Sequence, residues 1–193
     1  MGTSTSNRQL KEELRRQLLV AREAMPPEEH RRLSAIIVEK LKADADLAVA
    51  KVILSYMPYR NEVDLSAFHE WALAHNKLLA FPICLANRRM QAAVPQNPDA
   101  LIPGALGIIA PDPEGSASID PADLDCVLVP CLGFHKDGYR LGMGGGYFDR
   151  YLPQCSQATT IGIAFSQQEV EEDFCDPWDI RLWRIVTDAP KPA

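Results

Sequence analysis

Four short, nearly continuous apolar runs constrain this chain more than any other feature. They are Val52-Ile53-Leu54, Leu78-Leu79-Ala80-Phe81, Cys126-Val127-Leu128-Val129 and Ile161-Gly162-Ile163-Ala164. A strand with one wet face alternates apolar and polar residues, whereas a run without that alternation is buried on both faces, as in the middle of a parallel sheet. Parallel strands need crossover connections, and helix-periodic stretches supply them. From Gln9 onward, Leu10, Leu14, Leu18 and Ala21 recur every three or four residues. Met25-Pro26-Pro27-Glu28-Glu29 breaks that helix and starts a second, because proline and acids suit a first turn. Leu33, Ile36, Ile37 and Leu41 give its buried stripe. Asp64 to His75 reads as a third helix and Tyr147 to Leu152 as the start of another, with a last strand at Arg184 to Thr187. The pattern predicts an α/β fold, a single three-layer α/β/α domain over residues 1–193 with a mostly parallel central sheet. The ends, 1–6 and 189–193, are expected to fray. The second strand is expected to stop at Pro82. Met90 to Val94 and Ile108-Ile109 read as short strands, and the proline-rich stretch 95–123 as an elaborated loop.

Composition narrows the function. Hydrophobic residues are 47% and charged residues 24%, which suits a globular chain and excludes a disordered or collagen-like one. The apolar runs are far too short to span a membrane. A net charge of −6 argues against a duplex nucleic-acid binder. The cysteines, Cys84, Cys126, Cys131, Cys155 and Cys175, form no C-x-x-C pair, so no zinc ribbon or thioredoxin-like motif is present. Cys126 and Cys131 read as small buried hydrophobes. Met1 to Ser6 lacks the apolar stretch of a secretory signal, and its loose fit to a myristoylation pattern has no basic second anchor. The expectation is a cytoplasmic monomer in a reducing compartment.

The chemistry concentrates in Gly138-Tyr139-Arg140-Leu141-Gly142-Met143-Gly144-Gly145-Gly146-Tyr147-Phe148-Asp149. Glycines let backbone N–H groups approach a ligand, and a following helix adds its positive end, which together make a phosphate site. Arg140 can offer a planar fork to phosphate oxygens. The loop ends in Gly-Gly-Tyr, so it is neither a P-loop nor a dinucleotide fingerprint. Taken alone it could also be a flexible surface loop. Asp149 reads equally as a carrier of Mg²⁺ beside phosphates or as an acid placed at a helix start.

This stretch resembles the hallmark of the 5-formyltetrahydrofolate cyclo-ligases, also called methenyltetrahydrofolate synthetases. Val129-Pro130-Cys131-Leu132-Gly133-Phe134 leads into it as in that family. Lys11-x-x-x-Arg15, Tyr56 with Asn61-Glu62-Val63-Asp64, Phe81-Pro82, Ala164-Phe165-x-x-Gln168, Trp178-Asp179-Ile180-Arg181-Leu182 and Thr187-Asp188 are similar to further family motifs, in the right order. The resemblance implies a Rossmann-like fold akin to ribose-phosphate isomerases and CoA transferases. It implies conversion of 5-formyltetrahydrofolate to 5,10-methenyltetrahydrofolate with ATP as co-substrate, Mg²⁺ as cofactor, release of ADP and phosphate, and no catalytic nucleophile.

By the same resemblance, Lys11, Arg15, Arg140, Gly142, Met143, Gly144, Gly145, Gly146, Tyr147 and Phe148 would hold ATP. Met57 and Glu62, with Gly144, Gly145, Gly146 and Tyr147, would meet the folate, and Asp149 and Asp179 would carry the metal. Without the family, the four-residue spacing of Lys11 and Arg15 favours a solvated charged face, and Glu62 a surface acid. Tyr147 and Phe148 read equally as ring-stacking or as helix-packing residues, and Trp178 as core or pocket wall. The chain departs from the usual pattern at Ala110, His135 and Trp178, where many members have Glu, Asp and His, and at Gly145, where animal members often have Lys. The alternative is a paralogue of the same fold that binds folate or nucleotide without turnover. A sugar-phosphate isomerase or acyl-CoA transferase would not need the phosphate and metal groups together.

Overall fold

The structure, a computed structural model, describes residues 3–97, 100–104 and 107–190. Helices α1 (Thr3–Glu23), α2 (Pro27–Lys42) and α3 (Ala45–Val49) precede strand β1 (Val52–Leu54). Helix α4 (Ser66–Ala74) crosses over to β2 (Leu78–Cys84). There follow β3 (Met90–Pro95), β4 (Leu101–Pro103), β5 (Ile109–Pro111), β6 (Ser116–Ile119), β7 (Cys126–Pro130), β8 (Gly133–Phe134) and β9 (Arg140–Leu141). Helix α5 (Tyr147–Tyr151), β10 (Thr159–Ile163) and β11 (Arg184–Val186) complete the chain. The main sheet has seven strands in the order β11-β10-β7-β1-β2-β3-β6. β11, β10, β7, β1 and β2 run parallel, while β3 and β6 add an antiparallel edge.

The continuous apolar runs occupy the middle of this sheet because both faces are covered. Ile53, Leu79, Phe81, Cys126, Leu128 and Ile161 point to one face, against Ile37 and Leu41 of α2, Leu47 of α3, and Phe68 and Ala72 of α4. Leu54, Ala80, Val127 and Val129 point to the other, against Tyr151, Leu152, Cys155 and Leu182. Each large apolar side chain among them contributes about 1.5–3 kcal/mol on burial. The second face carries only the five-residue α5, a 3₁₀ turn at Leu152–Gln154 and the C-terminal loops. Helix α1 lies apart, with Leu14 packed on Leu141, Val170 and Phe174.

Pro82 does not end β2. In the parallel ladder the Ser55 N–H donates to Ala80 O at 2.9 Å. The next rung would need a donor from residue 82, which proline lacks. Pairing with β1 therefore stops there, while β2 runs on beside β3, with Pro82 opposite Ala92. The stretch 95–123 is likewise more ordered than expected: β4 and β5 form a hairpin, and β6 pairs with β3. Their sequences mix proline, serine and single apolar residues, so neither period is visible. Residues 3–6 belong to α1, since helix propagation adds a bond per residue once a packed segment has nucleated it. At the other end, Ala189 O accepts from Lys40 Nζ, so that residue is tied down; residues 1–2 and 191–193 lie outside the described residues.

The chain leaves β1 toward β2 on one side and later returns to β7 on the other. Loops from the carboxyl ends of β1 and β7 thus diverge, which opens a crevice at that end of the sheet.

Candidate active site

A cavity of about 1130 Å³ fills this crevice. That exceeds the usual range for one small ligand, roughly 300–1,000 Å³. Every residue expected in the site lines it: Lys11 and Arg15 from α1, Met57 and Glu62 after β1, Arg140 from β9, Gly142 to Phe148 in the glycine loop, Asp149 on α5, and Asp179 near the C-terminus. Separate strand-end loops deliver these groups, and α1 closes the side.

At one end, cations and carboxylates are paired. Lys11 Nζ donates to Asp176 Oδ2 at 2.5 Å and to Asp179 Oδ2 at 2.6 Å. Burial alone would lower the Lys11 pKa, yet the two carboxylates outweigh it and raise it. Burial would raise Asp176, but hydrogen bonds from Lys11 and Asn7 hold it below the usual carboxylate range. Arg140 is buried, and its Nη2 donates to Asp149 Oδ1 at 2.6 Å while its Nη1 donates to Ile180 O at 3.0 Å. Arg15 Nε donates to Gly142 O at 2.9 Å and lies over the loop. Gly144 at φ +91° and Gly146 at φ +66° need glycine for their left-handed backbone. Helix α5 has only five residues, so its positive end is weak, and side chains supply the positive charge: Lys11, Arg15 and Arg140, with Arg8, Arg88 and Arg150 also lining the cavity.

The other end is built differently. A turn places Arg60 and Asn61 at positive φ, and the Glu62 N–H donates back to Tyr59 O at 3.1 Å. Glu62 Oε2 accepts from the Tyr59 N–H at 3.1 Å, and Glu62 O pairs with His30 Nε2 at 2.8 Å. Burial raises the Glu62 pKa, against the opposing charge of Arg22. Arg22 Nη1 lies 3.8 Å from Glu62 Oε1. Tyr56 Oη donates to Val63 O at 3.2 Å and fixes the next residue.

Trp178 is 65% exposed on the cavity rim, a wall residue and not core. Phe148 packs partly into the core beneath, whereas the Tyr147 ring lies beside Gly145. Ala110 lines the cavity, and His135 does not. Asp176 escaped the sequence reading; its one signal was a second acid three residues before Asp179. Arg22 gave none, because an arginine on a charged helix reads as solvated.

A serine and histidine do meet. Ser55 Oγ and His69 Nε2 are 2.7 Å apart, with burial pulling the His69 pKa down to about 4. Ser55 is fully buried and neither residue lines the cavity, so the pair is a satisfied core contact. Burial pushes the Cys126 and Cys131 thiols up to about 12, far from nucleophilic.

Among the described residues no three His, Cys, Asp or Glu side chains form a closed metal cage. Mg²⁺ seldom uses one, since one or two carboxylates, water and phosphate oxygens suffice. Asp149 Oδ2 and Asp179 Oδ1 take no hydrogen bond from the described residues, while the other oxygen of each is engaged. This hard-oxygen donor pair fits a hydrated Mg²⁺ arriving with phosphates.

Comparison with known proteins gives a consistent result. The family model described as "5-formyltetrahydrofolate cyclo-ligase family" matches residues 7–188. A 5-formyltetrahydrofolate cyclo-ligase of Mycoplasma pneumoniae is 36% identical, covering 92% of this chain and 98% of its own. The mouse protein of that name is 27% identical over 95% of this chain and 94% of its own. Among solved structures, the 5,10-methenyltetrahydrofolate synthetase of Aquifex aeolicus aligns with a TM-score of 0.82 at 35% identity, covering 94% of this chain and 91% of that one. The synthetase of Mycoplasma pneumoniae aligns with a TM-score of 0.78 at 31% identity, covering 93% and 99%.

Proposed function

From its membership of the 5-formyltetrahydrofolate cyclo-ligase family, to which this chain belongs, we infer that it converts 5-formyltetrahydrofolate to 5,10-methenyltetrahydrofolate at the cavity beside the glycine loop. The chain is an enzyme, a cyclo-ligase. The observation that carries the residue assignments is the convergence of α1, the β1 and β7 loops, the glycine loop and the C-terminal acids on one space large enough for two ligands.

The reaction has to activate a formamide, whose carbon is a poor electrophile because nitrogen donates into the carbonyl. ATP supplies the activation. The formyl oxygen attacks the γ-phosphorus and ADP leaves. N10 of the same folate then attacks the formyl carbon, the carbon–oxygen bond breaks, and phosphate departs with the former formyl oxygen. N10 loses its proton, leaving the N5–C–N10 amidinium of the methenyl product. No protein nucleophile is required, and the work is alignment and charge neutralisation.

Lys11, Arg15 and Arg140 meet the phosphates, and the loop from Gly142 to Phe148 lies along them and the formyl group. Glu62 accepts hydrogen bonds from the pterin ring, with Met57 against its face. Asp149 and Asp179 would hold Mg²⁺, which would supply neutralisation of phosphate charge. Lys11 and Arg140 therefore exchange carboxylate partners for phosphate when nucleotide enters. All the residues assigned here come from one chain, which fits action as a monomer. No described helix is long and apolar enough to cross a membrane, which fits a cytoplasmic enzyme.

The test is formation of the methenyl chromophore from 5-formyltetrahydrofolate. The reading expects an absorbance rise that needs both ATP and Mg²⁺ and collapses in Asp149→Ala. A rise without ATP, or none from folded protein, would overturn it.

A further inference from the structure

Arg22 is a buried cation with an incomplete set of partners. It is 1% exposed. Its Nε donates to Arg60 O at 3.0 Å, but Nη1 and Nη2 are buried and find no hydrogen-bond partner among the described residues. A buried charge left like this is costly, so a compensating feature is expected nearby. The facing group is Glu62, whose Oε1 stands 3.8 Å from Nη1, beyond a direct hydrogen bond.

Glu62 shows the complementary pattern. Its N–H, its carbonyl and its Oε2 are each engaged, by Tyr59, His30 and Tyr59. Oε1 alone takes no hydrogen bond from the described residues. A buried carboxylate that must receive ligand donors has two conflicting needs. It must stay ionised although burial favours the neutral acid, and it must keep lone pairs open although an ion pair would occupy them. A guanidinium held just out of bonding range meets both. It supplies favourable potential and leaves Oε1 without a hydrogen bond on a residue that lines the cavity. The bond from Arg22 to Arg60 O fixes that distance, because it ties α1 to the turn carrying Glu62.

We propose that Arg22 is a positioning residue for folate, holding Glu62 ionised and its Oε1 unoccupied for the pterin's donors. Arg22 itself does not line the cavity. The inference rests on the reading of Glu62 as the residue that meets the folate. The titratable and charged groups around Glu62 are Arg22 from α1, His30 from α2, Tyr56 two residues after β1, Tyr59 and Arg60 on the turn, and Cys131 after β7.

The experiment measures initial rates against both substrates over pH for Arg22→Met, Arg22→Lys, Glu62→Gln and the Arg22→Met/Glu62→Gln double variant. For Arg22→Met the KM for 5-formyltetrahydrofolate rises about tenfold or more, equivalent to one pKa unit of lost interaction. The KM for ATP stays within about twofold, a spread that non-directional effects alone would cover. Removing the cation raises the Glu62 pKa further, so the acid-side loss of folate affinity moves to higher pH. Arg22→Lys keeps the charge and returns that limb toward its original position. In the double variant, Arg22→Met adds nothing to the effect of Glu62→Gln on the folate KM.

Equal rises in both KM values, an unmoved acid limb, or full additivity in the double variant would each overturn the proposal. If Arg22→Met does not fold, Arg22→Lys decides: an acid limb displaced as far as in an Arg22→Gln variant contradicts a charge role. An unchanged folate KM in Glu62→Gln instead removes the underlying assignment of Glu62, a failure distinct from that of Arg22.

Discussion

The two ends of the cavity handle charge in opposite ways. At the glycine-loop end each cation already sits on protein: Lys11 on Asp176 and Asp179, Arg140 on Asp149, Arg15 on the Gly142 carbonyl. At the Glu62 end the ion pair is held open at 3.8 Å, and an acceptor is left unfilled. On the proposed assignment, the first end changes partners when the triphosphate enters. The second is set before the ligand arrives. The contrast suits the two ligands, because phosphates bring enough charge to displace carboxylates, whereas a neutral ring offers only hydrogen bonds and needs a site prepared for it.

The largest expected effect comes from breaking the exchanging end. Arg140→Met should lower kcat/KM by about 10²–10³-fold, the usual cost of removing one donor aimed at developing charge. It leaves Asp149 unpaired, so Asp149→Asn in the same background should recover stability but not rate. Equal losses at the two ends in all parameters would erase the distinction between them.

Next comes Lys11. Lys11→Met should raise the KM for ATP by about tenfold to a hundredfold, matching a charged hydrogen bond of about 1.5–3 kcal/mol, with little change in the folate KM. The same pair marks the ligand-free protein. The Asp176 pKa is lowered in the fold, so its stabilisation is fully present above the unfolded carboxyl value and is lost as pH falls through the folded one. The Tm difference between the parent and Asp176→Asn should therefore be largest near neutral pH and shrink in acid. A difference that grows in acid would contradict the pairing.

A smaller effect tests the glycine loop itself. Gly144→Ala places a side chain at φ +91° and should cost roughly 1–2 kcal/mol in urea unfolding. Gly142→Ala, where an added Cβ meets nothing within 4 Å, should cost less. The smallest effect concerns the cysteines. Cys84→Ser, although Cys84 lines the cavity, and Cys175→Ser should leave turnover within about twofold, because the proposed route uses no thiol. Loss of activity in either would bring back a nucleophile.

Much of this fold is legible in the sequence because burial on both faces writes itself as uninterrupted runs. Ile53 and Leu54 point to opposite faces and are both apolar for that reason. The same rule hides β4 and β6, since short edge strands carry no period. Pro82 misleads because proline signals a break without saying which neighbour is lost; here it is β1, not β3. In the site, the glycine loop and its Arg140 and Asp149 are visible because the residue types of the proposed phosphate site lie close together in the chain. Asp176 and Arg22 are not, since their meaning lies in contacts across 165 and 38 residues of sequence separation. Apart from the spacing of Asp176 to Asp179, nothing local separates them from ordinary surface charges.

The central claim is that one cavity joins the formyl oxygen to the γ-phosphate of ATP. It is tested most directly with 5-formyltetrahydrofolate carrying ¹⁸O in the formyl group, turned over with MgATP, and mass spectrometry of the released phosphate. The account predicts one labelled oxygen in each phosphate formed with methenyl product. Phosphate without label, at full conversion, would show that the formyl oxygen leaves by another route and would contradict it.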